Sequence, residues 1–176
     1  MKIQIRQGVF ETNSSSTHAI SIASIDNITI PEVIKFEHTG EFGWENNIIN
    51  TIDEKANYFW TAACYLYSEF KEKDILDNIK CKVTEILYNA GVKTVIFQGA
   101  NYKVSDWNPD FIYIESDGYV DHVSDLEGWI NELIEEPDLL LGYLFNEDSQ
   151  IHTGNDNDDD PVLYNKNAIY TYYKGN

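Results

Sequence analysis

Basic residues are missing from a long part of this sequence, and cysteine and methionine are scarce. There are two cysteines, Cys64 and Cys81, and one methionine. Both cysteines lie among apolar residues in helical patterns, which favours buried thiols over a disulfide or a cysteine metal site. No segment approaches the roughly 20 apolar residues that a membrane-spanning helix needs, and the N-terminus has no signal-peptide core. The sequence therefore predicts a soluble cytoplasmic protein without a membrane partner.

Lysine and arginine are absent from residue 106 to residue 160, and this window is strongly acidic. It contains 17 of the 30 aspartates and glutamates, whereas the other 13 are accompanied by all 12 bases. Nearly all of the net charge of −18 therefore comes from one continuous block. A field of this sign repels nucleic-acid phosphates and raises encounter rates with cationic surfaces. The block predicts a basic protein partner and no direct nucleic-acid binding, the alternative being an acidic surface that serves only solubility.

The length and the pattern of apolar residues indicate a single α+β domain over 1–176. A chain of 176 residues is the size of one domain, and no glycine-, serine- or proline-rich linker divides it. Alternation of polar and apolar residues over 2–6 and 18–22 predicts strands. A third extended segment at 28–30 stops at Pro31 and continues over 33–36. Together these three segments predict an antiparallel sheet near the N-terminus.

Two helices are predicted in the middle of the chain. Thr51 and Glu54 form a capping box at the start of the first helix, which should continue to about Lys71. The second helix starts near Asp74 and stops at Gly91, because glycine readily adopts the left-handed conformation that ends a helix. These two helices are predicted to form a helical hairpin.

The second half of the chain is predicted to form strands around an acidic pair of helices. β-branched and aromatic residues predict strands over 93–97, 110–115 and 168–173. A second capping box over 124–127 begins one acidic helix, and a short helix over 138–146 follows it. The whole pattern predicts an α+β fold in which a mixed or antiparallel sheet packs against a helical hairpin and a C-terminal acidic helix pair.

One segment combines hydroxyl groups with an imidazole and predicts a ligand site. Hydroxyls and the backbone donors of a tight turn are good partners for phosphate or sugar groups. A serine with His18 as its base would give nucleophilic catalysis, although neighbours on a strand rarely reach each other and no Gly-x-Ser-x-Gly motif is present. A polar hairpin turn whose hydroxyls bond local backbone is the third interpretation. The six residues are Asn13, Ser14, Ser15, Ser16, Thr17 and His18.

An acidic run near the C-terminus predicts a site for a hard divalent cation, Ca²⁺ or Mg²⁺. Carboxylates stand at alternate positions there, at Asp156, Asp158 and Asp160. The helix-loop-helix calcium motif needs glycine at its sixth position and glutamate at its twelfth, where this chain has Pro161 and Asn167. That motif is therefore excluded, and a looser cation site or a solvated loop is left. The four histidines lack the local spacing of a zinc site.

Two segments resemble a group of uncharacterised proteins that are encoded by phages and prophages of Gram-positive bacteria. The first spans 6–18 and reads RQGVFETNSSSTH. The second spans 140–149 and reads LLGYLFNEDS, with 153–158 after it. The resemblance implies a phage setting, and therefore the cytoplasm of a bacterial host cell, but it brings no activity with it.

The charge pattern and the resemblance together give two competing functions. Small acidic phage proteins commonly occlude a nucleic-acid-binding surface, so the first hypothesis is a non-enzymatic nucleic-acid mimic or anti-defence inhibitor that binds a basic host protein. The second is a small-ligand-binding protein or hydrolase that acts on a phosphate-containing, nucleotide-like molecule through residues 13–18 and the loop 156–160. The first hypothesis assigns partner binding to Asp117, Asp121, Asp125, Glu132, Glu135 and Glu136.

Overall fold

The structure is a computed structural model of the chain, and it describes residues 16–43, 45, 47–115, 118–120, 126–155 and 165–174. Within these ranges the helices are α1 (Ile52–Leu66), α2 (Lys73–Ala90), α3 (Leu126–Glu135) and α4 (Pro137–Phe145). The strands are β1 (Ser16–Ile22), β2 (Val33–Glu37), β3 (Gly40–Phe42), β4 (Asn47–Ile49), β5 (Thr94–Gln98), β6 (Tyr102–Val104), β7 (Ile112–Ile114), β8 (Gly118–Val120), β9 (Gln150–Asn155) and β10 (Tyr170–Lys174). The predicted α+β class is confirmed. None of the described helices is long and apolar enough to cross a membrane.

β1 is an inner strand of a four-stranded antiparallel sheet with the order β10, β1, β9, β4. His18 lies opposite Lys174 on one side and opposite Thr153 on the other. The sequence predicts an antiparallel strand here, but the partners that the structure describes come from the C-terminal part of the chain. Residues 28–30 form no strand, and the predicted strand over 2–6 lies outside the described residues. The sheet therefore joins distant parts of the sequence.

The remaining described strands form three two-stranded sheets. β2 pairs with β5 and β3 pairs with β8 in parallel, whereas β6 and β7 form an antiparallel hairpin. The strands predicted over 93–97, 110–115 and 168–173 correspond to β5, β7 and β10 with shifted ends. Parallel and antiparallel pairs occur together, so the strand arrangement is mixed.

The two central helices start or stop as their local signals indicate, with one exception. The Thr51 side chain accepts a hydrogen bond from the Glu54 amide, and Glu54 reaches back to the Thr51 amide, so the predicted capping box is confirmed. Gly91 ends α2 with a φ of 109°, the left-handed conformation that glycine adopts without strain. α1, however, ends at Leu66 instead of near Lys71. Ser68 and Glu69 after it pair with β7, and a single 3₁₀ turn over Phe70–Glu72 leads into α2.

α1 lies in the middle of the hydrophobic core. It contacts β2, β8, α3 and α4, and every residue from Tyr58 to Cys64 is buried, so the helix is covered on more than one side. The rings of Phe59 and Trp129 meet edge to face with centroids 5.9 Å apart, which joins α1 to α3. Cys64 is buried, as predicted, but Cys81 on α2 is exposed.

Candidate functional site

The segment predicted as a ligand site enters the described fold at β1. Ser16, Thr17 and His18 are the first residues of this strand and are at most 5% exposed. β9 pairs with all three, and β10 pairs with His18 on the other edge. These three side chains thus belong to a strand and not to a solvent-exposed turn. Residues 13–15 lie outside the described residues.

His18 is held in the core by Tyr58 of α1. The imidazole Nδ1 and the tyrosine hydroxyl oxygen are 2.9 Å apart, and the two ring centroids are 5.8 Å apart. Burial raises the pKa of the Tyr58 hydroxyl well above its ordinary value, so this group keeps its proton at neutral pH. Two buried polar groups therefore satisfy each other, which stabilises the packing of the sheet against α1. Ligand binding and catalysis by this segment stay predictions.

The acidic residues of the helix pair α3 and α4 form an exposed surface. On α3, Glu127, Glu132 and Glu135 lie on the side opposite to the buried Trp129 and Leu133, as a helical period requires. Glu136, which joins the two helices, and Asp138 in the first turn of α4 are also exposed. We call this set the α3–α4 acidic surface: Glu127, Glu132, Glu135, Glu136 and Asp138.

No lysine or arginine neutralises the α3–α4 acidic surface within the part of the chain that the structure describes. The ion pairs found there join Glu32, Glu69, Asp77 and Glu115 to lysines elsewhere. Glu132 accepts a hydrogen bond from the hydroxyl of Tyr170, which carries no charge to offset it. With respect to the described residues, the carboxylates of this surface therefore face solvent without a counter-charge.

Several predicted site residues fall where the structure gives no description. Asp117, Asp121 and Asp125 of the partner-binding set lie outside the described residues, and so do Asp156, Asp158 and Asp160 of the cation loop. Among the described residues, no group of three or more histidine, cysteine, aspartate or glutamate side chains is placed to hold a metal ion. The divalent-cation loop stays a prediction.

The structure has a second acidic surface, which the sequence did not predict. It is a groove where β2, β3 and the start of α1 meet, and three adjoining cavities of about 270, 300 and 430 Å³ follow it. Glu54 and Asn57 line the first two cavities, and Glu41 lines the second and third. The groove carboxylates belong to Glu37, Glu41, Glu45, Asp53 and Glu54.

A signal for this acidic groove exists in the sequence. No lysine or arginine occurs from residue 36 to residue 54, whereas five acids do. Lys35 and Lys55 flank the stretch and partly offset its negative charge in a sequence window. Lys55 is only 1% exposed, so its charge does not reach the groove as a surface lysine would. Lys35 is the one described base that lines these cavities.

Lys55 belongs to a polar junction between β1, α1, α4 and β9. Its ammonium donates to the carbonyl oxygens of Asn146 and Ser149 at 2.8 and 3.2 Å, and the Tyr143 hydroxyl donates to the Lys55 carbonyl at 2.7 Å. The Ser149 hydroxyl accepts from the Ala23 amide at 2.8 Å and donates to the Gly142 carbonyl at 2.7 Å. The junction comprises Ala23, Lys55, Gly142, Tyr143, Asn146 and Ser149.

Burial lowers the pKa of Lys55 to about 8, and the nearby Glu147 carboxylate opposes part of that shift. Lys55 lines a cavity of about 550 Å³ beside the start of α1. Because its ammonium is bonded to two carbonyls and the side chain is 1% exposed, a ligand in the cavity does not meet a free amine. The observed contacts make Lys55 a structural cation of the junction.

Comparison of this chain with profiles of known protein families, with curated proteins and with solved structures gives no match. What the site can do therefore follows from its own geometry. That geometry consists of two exposed acidic surfaces, the buried His18–Tyr58 pair and the polar junction around Lys55.

Proposed function

We propose that this protein is a non-enzymatic, phage-encoded accessory protein that binds a basic surface of a host protein, one that handles nucleic acid or takes part in defence. The observation that carries the proposal is the α3–α4 acidic surface, where five exposed carboxylates have no lysine or arginine partner among the described residues. A partner that brings lysines and arginines supplies the missing counter-charges and is steered to this surface by its field.

The spacing of the carboxylates supports a nucleic-acid mimic. Glu127, Glu132 and Glu135 follow one side of α3, and a helix rises about 1.5 Å per residue, so neighbouring carboxylates are about 5 to 8 Å apart along the axis. One strand of a duplex carries a phosphate for each 3.4 Å of its axis. The spacings of the carboxylates and of the phosphates are of the same order. A protein surface that binds the phosphates of one strand can therefore make similar contacts with this helix.

Charge removal from α3 is the first test of the proposal. The variant Glu132→Gln, Glu135→Gln, Glu136→Gln is expected to bind an oligolysine peptide about tenfold more weakly than the wild type, since exposed ion pairs contribute up to about 1 kcal/mol each. The affinity of the wild type should also fall as salt rises, because exposed charges are screened over about 8 Å at physiological ionic strength. Isothermal titration calorimetry over a salt series measures both effects.

A matched control removes the same amount of charge from paired positions. Glu32, Glu69 and Glu115 each contact a lysine of this chain, so the variant Glu32→Gln, Glu69→Gln, Glu115→Gln changes the net charge equally and leaves the α3–α4 acidic surface intact. Its affinity for the peptide should stay close to that of the wild type. Equal weakening by both triple variants, or binding that does not respond to salt, would contradict the proposal.

A further inference from the structure

The hairpin of β6 and β7 exposes a tryptophan at its tip. The two strands pair in antiparallel fashion, and the loop over 105–111 that joins them carries Trp107. The Trp107 side chain is 96% exposed, whereas Trp60 and Trp129 are almost fully buried. A large aromatic ring left in water forgoes the stabilisation that burial provides, and a ring of this kind at a binding surface is a frequent source of affinity.

Hydrogen bonds within the loop fix the backbone that carries this ring. The Ser105 amide donates to the Phe111 carbonyl at 2.8 Å, and the Trp107 amide donates to the Ser105 hydroxyl at 3.3 Å. The Asp110 amide donates to the Asn108 side chain at 3.1 Å. A tip that is ordered before binding loses little conformational entropy on association, so more of the contact energy is expressed as affinity.

The base of the hairpin is attached to the core. The Ile114 amide donates to the Ser68 carbonyl at 2.7 Å, and Ile114 itself is 3% exposed. Tyr113 pairs with Glu69 in the segment that follows α1. The tryptophan is therefore presented on a rigid support rather than on a free strand.

The charges beside Trp107 decide which partner it fits. Asp106 and Asp110 are exposed and take part in no ion pair that the described residues form, and the lysine at the hairpin base, Lys103, is paired with Glu115. Two uncompensated carboxylates repel nucleic-acid phosphates and anionic lipid headgroups. They attract cations, and the face of an indole ring attracts cations as well, arginine most often.

We propose that Trp107 is an anchor for arginine side chains of the basic partner. The guanidinium lies over the indole ring, and the carboxylates of Asp106 and Asp110 pair with it. This inference rests on the proposed function, because it names a contact with the same class of partner. It adds a preference for arginine over lysine, which the α3–α4 acidic surface alone does not provide, since arginine stacks on aromatic faces and lysine does so less well.

The test compares an oligoarginine peptide with an oligolysine peptide of equal length. Trp107→Ala is expected to weaken binding of the arginine peptide about fivefold and to change binding of the lysine peptide by less than about twofold. Trp107→Phe should restore part of the lost affinity, because a phenyl ring keeps an attractive face. In the wild type, the arginine peptide should protect Trp107 fluorescence from quenching by acrylamide. The contribution of Trp107 is obtained by subtracting the fluorescence of Trp107→Phe from that of the wild type.

Three outcomes of this experiment would overturn the inference. Suppose that Trp107→Ala binds both peptides as the wild type does, while the variant Glu132→Gln, Glu135→Gln, Glu136→Gln binds them more weakly. Trp107 is then not an arginine anchor, and the proposed function stands. If the wild type binds neither peptide, both fail together. If the wild type binds vesicles of anionic phospholipid through Trp107, the occupant is a membrane instead. Since Trp107 is almost wholly in solvent, its replacement leaves folding unchanged, and urea unfolding of the variant confirms this.

Discussion

Replacement of Gly142 by alanine is expected to lower the free energy of unfolding by about 2 to 3 kcal/mol. A Cβ atom at this position would lie 2.4 Å from the carbonyl oxygen of Ala23, and backbone cannot rotate away as a side chain can. The contact is locked, because the Ser149 hydroxyl bonds both the Ala23 amide and the Gly142 carbonyl. α4 must therefore move away from the end of β1, at the expense of the polar junction.

Urea unfolding followed by circular dichroism measures this change, and Gly91→Ala is the matched control. Gly91 has a φ of +109°, but no atom lies within 4 Å of a Cβ added there. The same methyl group thus causes only backbone strain, which costs about 1 to 2 kcal/mol. If Gly142→Ala is no more destabilising than Gly91→Ala, the close approach of α4 to β1 is not as described.

The free energy of unfolding of the wild type is expected to rise by about 2 kcal/mol relative to that of Lys55→Met between pH 8 and pH 10, because Lys55 titrates in this range. Burial lowers the pKa of Lys55 in the folded protein to about 8, against an ordinary value of 10.5. Between these values the unfolded chain binds more protons than the folded one. Since stability rises with pH wherever the unfolded state holds more protons, deprotonation relieves a penalty that is fully present below pH 8.

Chemical denaturation of both proteins at a series of pH values checks this expectation. Methionine keeps the length of the buried stem and removes the titrating group. The pKa values of Tyr58 and Tyr143 are raised by burial, so these residues lower stability at high pH, but they do so in both proteins and cancel in the difference. Lys166→Met removes an exposed lysine, so its stability curve shows how much of the difference comes from the loss of one positive charge alone. A difference that stays flat from pH 7 to pH 10 would rule out a buried, titrating Lys55.

Local signals in the sequence predicted the start of α1 and not its end. The capping box at Thr51 and Glu54 involves neighbours only, so the sequence contains all of its chemistry. The end depends on Ser68 and Glu69, which pair with β7 about 45 residues away. Helical periodicity continues past this point, and only the tertiary partner explains why the helix does not.

Segments 6–18 and 140–149, which the sequence analysis singled out, contribute to the fold where the structure describes them. Ser16, Thr17 and His18 fill an inner strand, where hydroxyl-rich composition had favoured a turn or a ligand site. Gly142 and Ser149 close the polar junction. Composition cannot distinguish a hydroxyl that binds a ligand from one that is buried by strands from elsewhere in the chain, because both need the same polar atoms.

An acidic surface was predicted from the longer of the two base-free acidic stretches and not from the shorter one, 36–54, whose carboxylates folding brings together in the groove. The α3–α4 acidic surface follows from a base-free block, whereas the acidic groove needs Glu37 and Glu41 to meet Glu54 across β2, β3 and α1. Burial of Lys55 removes a base from the surface that the sequence counts. Exposure of Trp107 likewise follows from the geometry of the hairpin and not from its composition.

The position of β1 between β9 and β10 has a consequence for synthesis on the ribosome. β1 emerges early, yet the strands on both of its edges are made more than a hundred residues later. During that interval its backbone donors and acceptors lack the two strands with which they pair in the described structure, and pairings over such separations form slowly. The nascent chain should therefore need protection against association until translation has passed β10, and coexpression with a chaperone should raise the yield of monomeric protein.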